Sequence, residues 1–405
     1  MLTKIYNIKY LVTYDDDRND VVIQTPKNII IKDDKIDSVN FKDIDYEADY
    51  EINANNALLS PGFIDSHTHL IFASNRADDF SKRISGQSYI DIANSGGGIK
   101  SSINSFRKTS KEEILKDCEK KIPFFLKNGT TTIEVKSGYG LSLEDELKSL
   151  NIIKELNEKF DVDLVSTFMG AHDFPPEIKD KNSYVDLICN EMIPEVSSKN
   201  LAEFCDVFCE QGYFDIEQTL KISQCAHDYN LKMKLHADEF NDSGAAFIAG
   251  EIKAVSADHL MQANESGLRN MSKNNVIATI LPGTTLFLGM RTYANARKMI
   301  DLGCDVAVAS DYNPGSNTIY SIPSVMALAT LYCGLTINEV FKAVTFNAAK
   351  ALNRSHVLGM IKEDYIADIL FWDINSISEI PYWFNADRIT SVIKNGKLVF
   401  QNEIN

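Results

Sequence analysis

Four side chains in this sequence could together hold a metal ion. His67 and His69 stand two residues apart at the end of Pro61-Gly62-Phe63-Ile64-Asp65-Ser66-His67-Thr68-His69. In an extended segment, side chains at i and i+2 share a face, so both imidazoles can reach one point in space. His236 and Asp311 follow two further apolar runs. Three neutral nitrogen donors and one carboxylate oxygen suit Zn²⁺, and iron is compatible with the same set. Taken singly, each has a plainer reading: an exposed polar pair, a core histidine, a helix cap. Their common placement at strand ends weighs against those readings.

A bound metal lowers the pKa of a water toward about 7. A base must still move protons. Glu239 lies three residues after His236 and can share the site without binding metal. His259 could hold the water or stabilise an oxyanion, and Asp311 could both ligate and shuttle protons. The residues leave open which of Glu239, His259 and Asp311 is the principal general base.

These groups need a scaffold. Between about 61 and 355, short apolar runs alternate with segments of helical period. The runs place strands near 63–66, 130–136, 163–170, 204–210, 231–236, 254–259, 276–281 and 305–310. Amphipathic helices are expected over Lys111 to Lys127, Leu143 to Phe160, Asp215 to Tyr229 and Ala294 to Leu302. Eight strands, most followed by a helix, predict an α/β fold, a (β/α)8 TIM-like barrel. Active groups of such a barrel sit just past strand C-termini, and five of the seven histidines fall there. His227, in a helix, and His356, in a late loop, read as structural or surface residues. Both chain ends instead carry short apolar runs separated by Asp, Asn and Lys clusters, with a hairpin turn at Asn395-Gly396. The expected division is a small composite β-sandwich domain from 1–60 and 356–405, around a barrel domain at 61–355.

The totals narrow the partners. The chain has 405 residues, a formal charge of −16 and 44% hydrophobic residues. Nucleic-acid surfaces need clustered Lys and Arg, so none is expected. Seven cysteines are scattered without a CxxC, and Cys205 and Cys209 lie in one apolar run. They predict buried thiols and a reducing cytoplasm. No basic, apolar leader opens the sequence, so a signal peptide is not expected. The uncharged stretch Tyr312 to Asn338 is broken by Pro314 and Pro323, and its apolar part is too short for a membrane span.

The order His-x-His, His, His, Asp resembles the amidohydrolase superfamily. The stretches PGFIDSHTHLIFASNRADDF (61–80), IEVKSGYGL (133–141), FMGAHDFP (168–175), KLHADEF (234–240) and ASDYNPGS (309–316) resemble the imidazolonepropionase family within it. The resemblance covers essentially the whole chain. It implies hydrolysis of the ring amide of 4-imidazolone-5-propanoate to N-formimidoyl-L-glutamate, in histidine degradation. It implies one Zn²⁺ or Fe³⁺ per subunit on His67, His69, His236 and Asp311, and a homodimer. It implies that Arg76, Tyr139, His172 and Glu239 contact the substrate, and that Asn313, Gly315 and Ser316 contact the product end. Arg76 is a sensible partner for a propionate, being forked and always charged. The turn at Asn313-Pro314-Gly315-Ser316 is expected to offer backbone N–H groups to a carboxylate, and His172 and His259 to stabilise an oxyanion.

Other readings bear on particular residues. Deamination of a nucleobase would need nearly the same metal set, but a nucleobase has no carboxylate for Arg76. A catalytically dead binding subunit would have lost ligands, and all four are present. Lys136, which could be mistaken for a carbamylated bridging lysine, reads as structural. Ser95-Gly96-Gly97-Gly98 lacks the GxxxxGK[ST] pattern of a phosphate loop and reads as a mobile loop near the site.

Overall fold

The computed structural model describes residues 1–42, 46–87, 91–92, 95–384 and 387–402. Eight parallel strands form one sheet in strict chain order: Phe63–Asp65, Thr130–Lys136, Asp163–Ala171, Phe204–Cys209, Lys232–Ala237, Ser256–His259, Ile277–Ile280 and Val306–Val308. The segments just past the first and last strands join them. The Asp311 N–H donates to the His67 carbonyl at 2.9 Å, and the His69 N–H to the Tyr312 carbonyl at 2.9 Å. Ser310 also donates its N–H to Asp65 Oδ1 at 2.9 Å. The expected barrel is therefore present, with its seam between the first and eighth strands.

The helices expected from periodicity are found at Lys111–Lys127, Leu143–Lys159, Ile216–Asp228 and Ala296–Asp301. Two begin at capping boxes, Ser110 with Glu113 and Asp215 with Gln218, which satisfy N–H groups that a helix start leaves unpaired. The uncharged stretch contributes a helix of 11 residues, Ile322–Tyr332. No helix among the described residues is long and apolar enough to cross a membrane.

The chain ends build the two remaining sheets. Leu2–Tyr6, Asn28–Lys32, Lys35–Asn40 and Tyr50–Asn53 form a four-stranded sheet. The six-stranded sheet takes Tyr10–Asp15, Asp20–Gln24 and Leu58–Pro61 from the first end, and Ile369–Trp372, Ile389–Lys394 and Lys397–Gln401 from the last. Ile5, Ile29 and Ile31 of one sheet share a core with Leu11, Leu59, Ile369 and Ile393 of the other. The hairpin turn has both Asn395 (φ 49°) and Gly396 (φ 74°) in the left-handed region, as a two-residue turn of this hand demands. Between sheet and barrel, Gly62 leaves no room for a side chain: a Cβ there would stand 2.2 Å from Thr131 Oγ1. All seven cysteines are free thiols, and Cys205 and Cys209 are buried. His227 and His356 are exposed, away from the site.

Candidate metal centre and substrate cavity

Barrel strands bring their C-terminal ends to one mouth, and the predicted site residues meet there. A cavity at this mouth is lined by His69, Arg76, Tyr139, His172, His236, Glu239, His259, Asp311, Asn313, Gly315 and Ser316. His67 sits behind it, fully buried. All the predicted residues are thus within one site.

At its base, His69 Nε2 is 3.3 Å from His236 Nε2. Asp311 Oδ1 lies 3.6 Å from His67 Nε2 and 3.7 Å from His69 Nε2. Donors at about 2.0–2.1 Å from a tetrahedral ion stand about 3.3–3.4 Å apart, so these separations fit one ion. The tautomers fit as well. His67 Nδ1 is 2.7 Å from Asp258 Oδ2, and His236 Nδ1 is 3.0 Å from Asp206 Oδ1. A carboxylate can only accept, so each Nδ1 carries the proton and each Nε2 keeps its lone pair. His67 Nε2 is buried with no hydrogen-bond partner among the described residues, an arrangement a cation would satisfy. Burial, then the Lys136 charge, holds His67 well below the ordinary imidazole range. Burial, then His172, does the same for His69. Both are neutral, as ligation requires.

Asp311 is pinned by its surroundings. Thr284 Oγ1 donates to Oδ2 at 2.5 Å and Asn313 Nδ2 to Oδ1 at 3.1 Å. Its backbone is left-handed, with φ 54°, a conformation that a non-glycine residue holds only where its neighbours enforce it. Burial raises its carboxyl to about 6, against the Thr284 hydroxyl. His259 brings a further nitrogen close, within 4.8 Å of donors on His67 and His236. Its Nδ1 is 3.6 Å from Glu239 Oε1.

Two expectations change. Gly315 and Ser316 donate their N–H groups to Asn313 Oδ1, at 2.8 and 2.7 Å. The asparagine closes its own turn and occupies the donors expected to face a carboxylate. Gly315 and Ser316 line the cavity without offering those N–H groups. His172 Nδ1 is 3.0 Å from the Gly138 carbonyl, so that nitrogen carries the proton. Burial, then His236, lowers its pKa to about 3. A neutral ring with the proton on Nδ1 presents an acceptor at Nε2, which suits a substrate N–H and not an oxyanion.

A match to the amidohydrolase family spans residues 58–399. The imidazolonepropionase of Alkaliphilus oremlandii is 43% identical over 362 residues, covering 87% of this chain and 86% of that protein. That of Thermoanaerobacter pseudethanolicus is 41% identical over 398 residues, 96% of each chain. The chain belongs to the imidazolonepropionase family. More distant solved structures share the fold. They include a triazine hydrolase variant, at TM-score 0.77 and 16% identity over 99% of this chain and 95% of that one. A guanine deaminase from C. acetobutylicum has TM-score 0.75 and 17% identity over 99% and 100%.

For an imidazolonepropionase, residues in and just outside the cavity bear on the site without having been singled out by their type. Asp206 and Asp258 orient the imidazoles. For Asp206 the signal was available, because an acid within the apolar run FCDVFC must have a buried partner. Lys136 is that partner. Its Nζ lies 2.7 Å from both Glu134 Oε1 and Asp206 Oδ2, and 4.0 Å from Asp258 Oδ2. Burial opposes its charge, but the carboxylates, Asp206 first, hold it above the ordinary lysine range. An ammonium in such a nest serves as a counter-ion, which agrees with a structural role. Arg83 also lines the cavity, its Nη2 donating to the Gly315 carbonyl at 3.2 Å.

Proposed function

We propose that this chain hydrolyses 4-imidazolone-5-propanoate to N-formimidoyl-L-glutamate, within L-histidine degradation. It is a hydrolase acting on a carbon–nitrogen bond of a cyclic amide. The observation that carries the reading is one cavity lined by His69, His236, Asp311 and Arg76, with His67 buried behind it. A nucleobase would leave that guanidinium without a use. His67, His69, His236 and Asp311 would hold one ion per subunit, and both Zn²⁺ and Fe³⁺ suit the donors. When bound, it supplies Lewis acidity and a water acidic enough to react at neutral pH.

The chain's own residues do the rest. Arg76 binds the propionate and sets the ring carbonyl in register. Tyr139 and His172 flank the ring, with His172 Nε2 accepting from a ring N–H. His259 holds the attacking water or the developing oxyanion. Asn313, Gly315 and Ser316 line the cavity and contact the product. Water oxygen stays on the carbonyl carbon, the ring C–N bond breaks, and a proton goes to the leaving nitrogen. Glu239 delivers that proton, and Asp311 or His259 takes one from the water. We further take 1–60 with 356–405 as one domain and 61–355 as the other. The working unit is proposed as a cytoplasmic homodimer.

The test is an assay on freshly made 4-imidazolone-5-propanoate, following loss of its ultraviolet absorbance beside metal analysis. Activity is expected to vanish with chelator and to return with zinc or iron. A fully metallated sample without turnover would overturn the reading. The Arg76 role makes a second prediction. A Cβ on Gly315 would stand 2.1 Å from Arg76 Nη1. Gly315→Ala is therefore expected to raise KM by about 10- to 100-fold, the loss of a hydrogen bond to a charged group, with metal content unchanged. An unaltered KM would remove Arg76 from substrate binding.

A further inference from the structure

Asp79 touches none of the reacting groups, yet it holds Arg76 where that side chain lines the cavity. Its side chain comes from the helix Ala77–Ile84 and is 8% exposed. One carboxylate oxygen, Oδ2, accepts from Arg76 Nε at 2.8 Å and from the Gly98 N–H at 2.9 Å. The other lies against Gly97, where an added Cβ would stand 2.3 Å from Oδ1. Gly98 holds φ 72° and begins the helix Ile99–Lys108. The glycine run thus has a defined task. It lets the backbone close on Asp79, where any larger residue at 97 would push the carboxylate away.

The consequence for Arg76 is geometric. A guanidinium can meet a carboxylate through its Nε edge or through its two terminal nitrogens. Asp79 occupies Nε, so a ligand must approach the terminal edge. A long arginine stem is also costly to immobilise on binding, and a side chain already held avoids that cost.

We infer that Asp79, seated by Gly97 and Gly98, is the positioning residue for tail recognition: it presents the terminal edge of Arg76 to the substrate carboxylate. The inference rests on the proposed function. Two inhibitors separate its failure from that of the underlying reading: imidazole-4-propionate and its uncharged counterpart 4-propylimidazole. The metal-loaded wild type is expected to bind the first more tightly. Asp79→Ala is expected to raise KM, and the Ki of imidazole-4-propionate, by about 10- to 100-fold. Both kcat and the Ki of 4-propylimidazole should change little. Asp79→Asn, which keeps an acceptor for Nε, should fall between, and Gly97→Ala should follow Asp79→Ala even if that variant folds poorly. Equal weakening of both inhibitors, or an unchanged KM in Asp79→Ala and Gly97→Ala, would overturn the positioning role. A wild type indifferent to the tail would overturn Arg76 recognition and this inference with it.

Discussion

Glu239→Gln is expected to lower kcat by about 10²- to 10⁴-fold, the usual worth of a positioned proton-transfer group, with metal content unchanged. Glu239 lines the cavity and is 6% exposed. Burial, then the charges of Asp311 and Glu210, pushes its carboxyl well above the ordinary range. A carboxyl that keeps its proton toward neutral pH can give it to the leaving nitrogen, and an ordinary surface glutamate cannot. Glutamine preserves shape and hydrogen bonding but cannot exchange that proton. Steady-state rates on metal-analysed protein decide the matter. Near-wild-type turnover would transfer the role to His259 or Asp311.

Lys136→Met is expected to destabilise the metal-free protein by about 3–5 kcal/mol, the cost of breaking a buried ion pair from one side. Its side chain and those of Glu134, Asp206 and Asp258 are fully buried. Lys234 is the other buried cation nearby, 3.9 Å from Asp258 and donating to the carbonyls of Ser66 and Ala351. With Lys136 gone, Glu134 and Asp206 would keep only hydrogen bonds from neutral groups and imidazoles. Urea unfolding of metal-free wild type and variant measures the difference. A loss under about 1 kcal/mol, the range of an exposed pair, would mean that the network adapts without its cation.

Much of the site was legible because barrel geometry turns sequence position into spatial position. His67 and His69 share a face by the period of a strand, His236 and His259 stand at the ends of their strands, and Asp311 lies just past its own. Chain order then brings them to one mouth. Interactions between side chains were harder to read. Asn313 takes the two N–H groups of its own turn, and the proton of His172 faces Gly138. Neither follows from residue type, since both depend on which partner a polar atom meets. Asp79 was hidden for a further reason. It lies one helical turn after Arg76, where an i, i+3 acid and base ordinarily make a surface pair of little value. Burial against the glycine run is what gives this pair its weight.

The seam of the barrel bears on how the protein is made. His67 and His69 lie on one side of it and Asp311 on the other, joined by the backbone pairs at Asp311 to His67 and His69 to Tyr312. A nascent chain emerges from its N-terminal end at about 5–20 residues per second. Until residue 311 has left the ribosome, the histidines lack their carboxylate and the first strand lacks its last neighbour. With the ligand set proposed above, metal capture would belong to the end of synthesis, and an ion spanning the seam would act as a clasp on a finished ring.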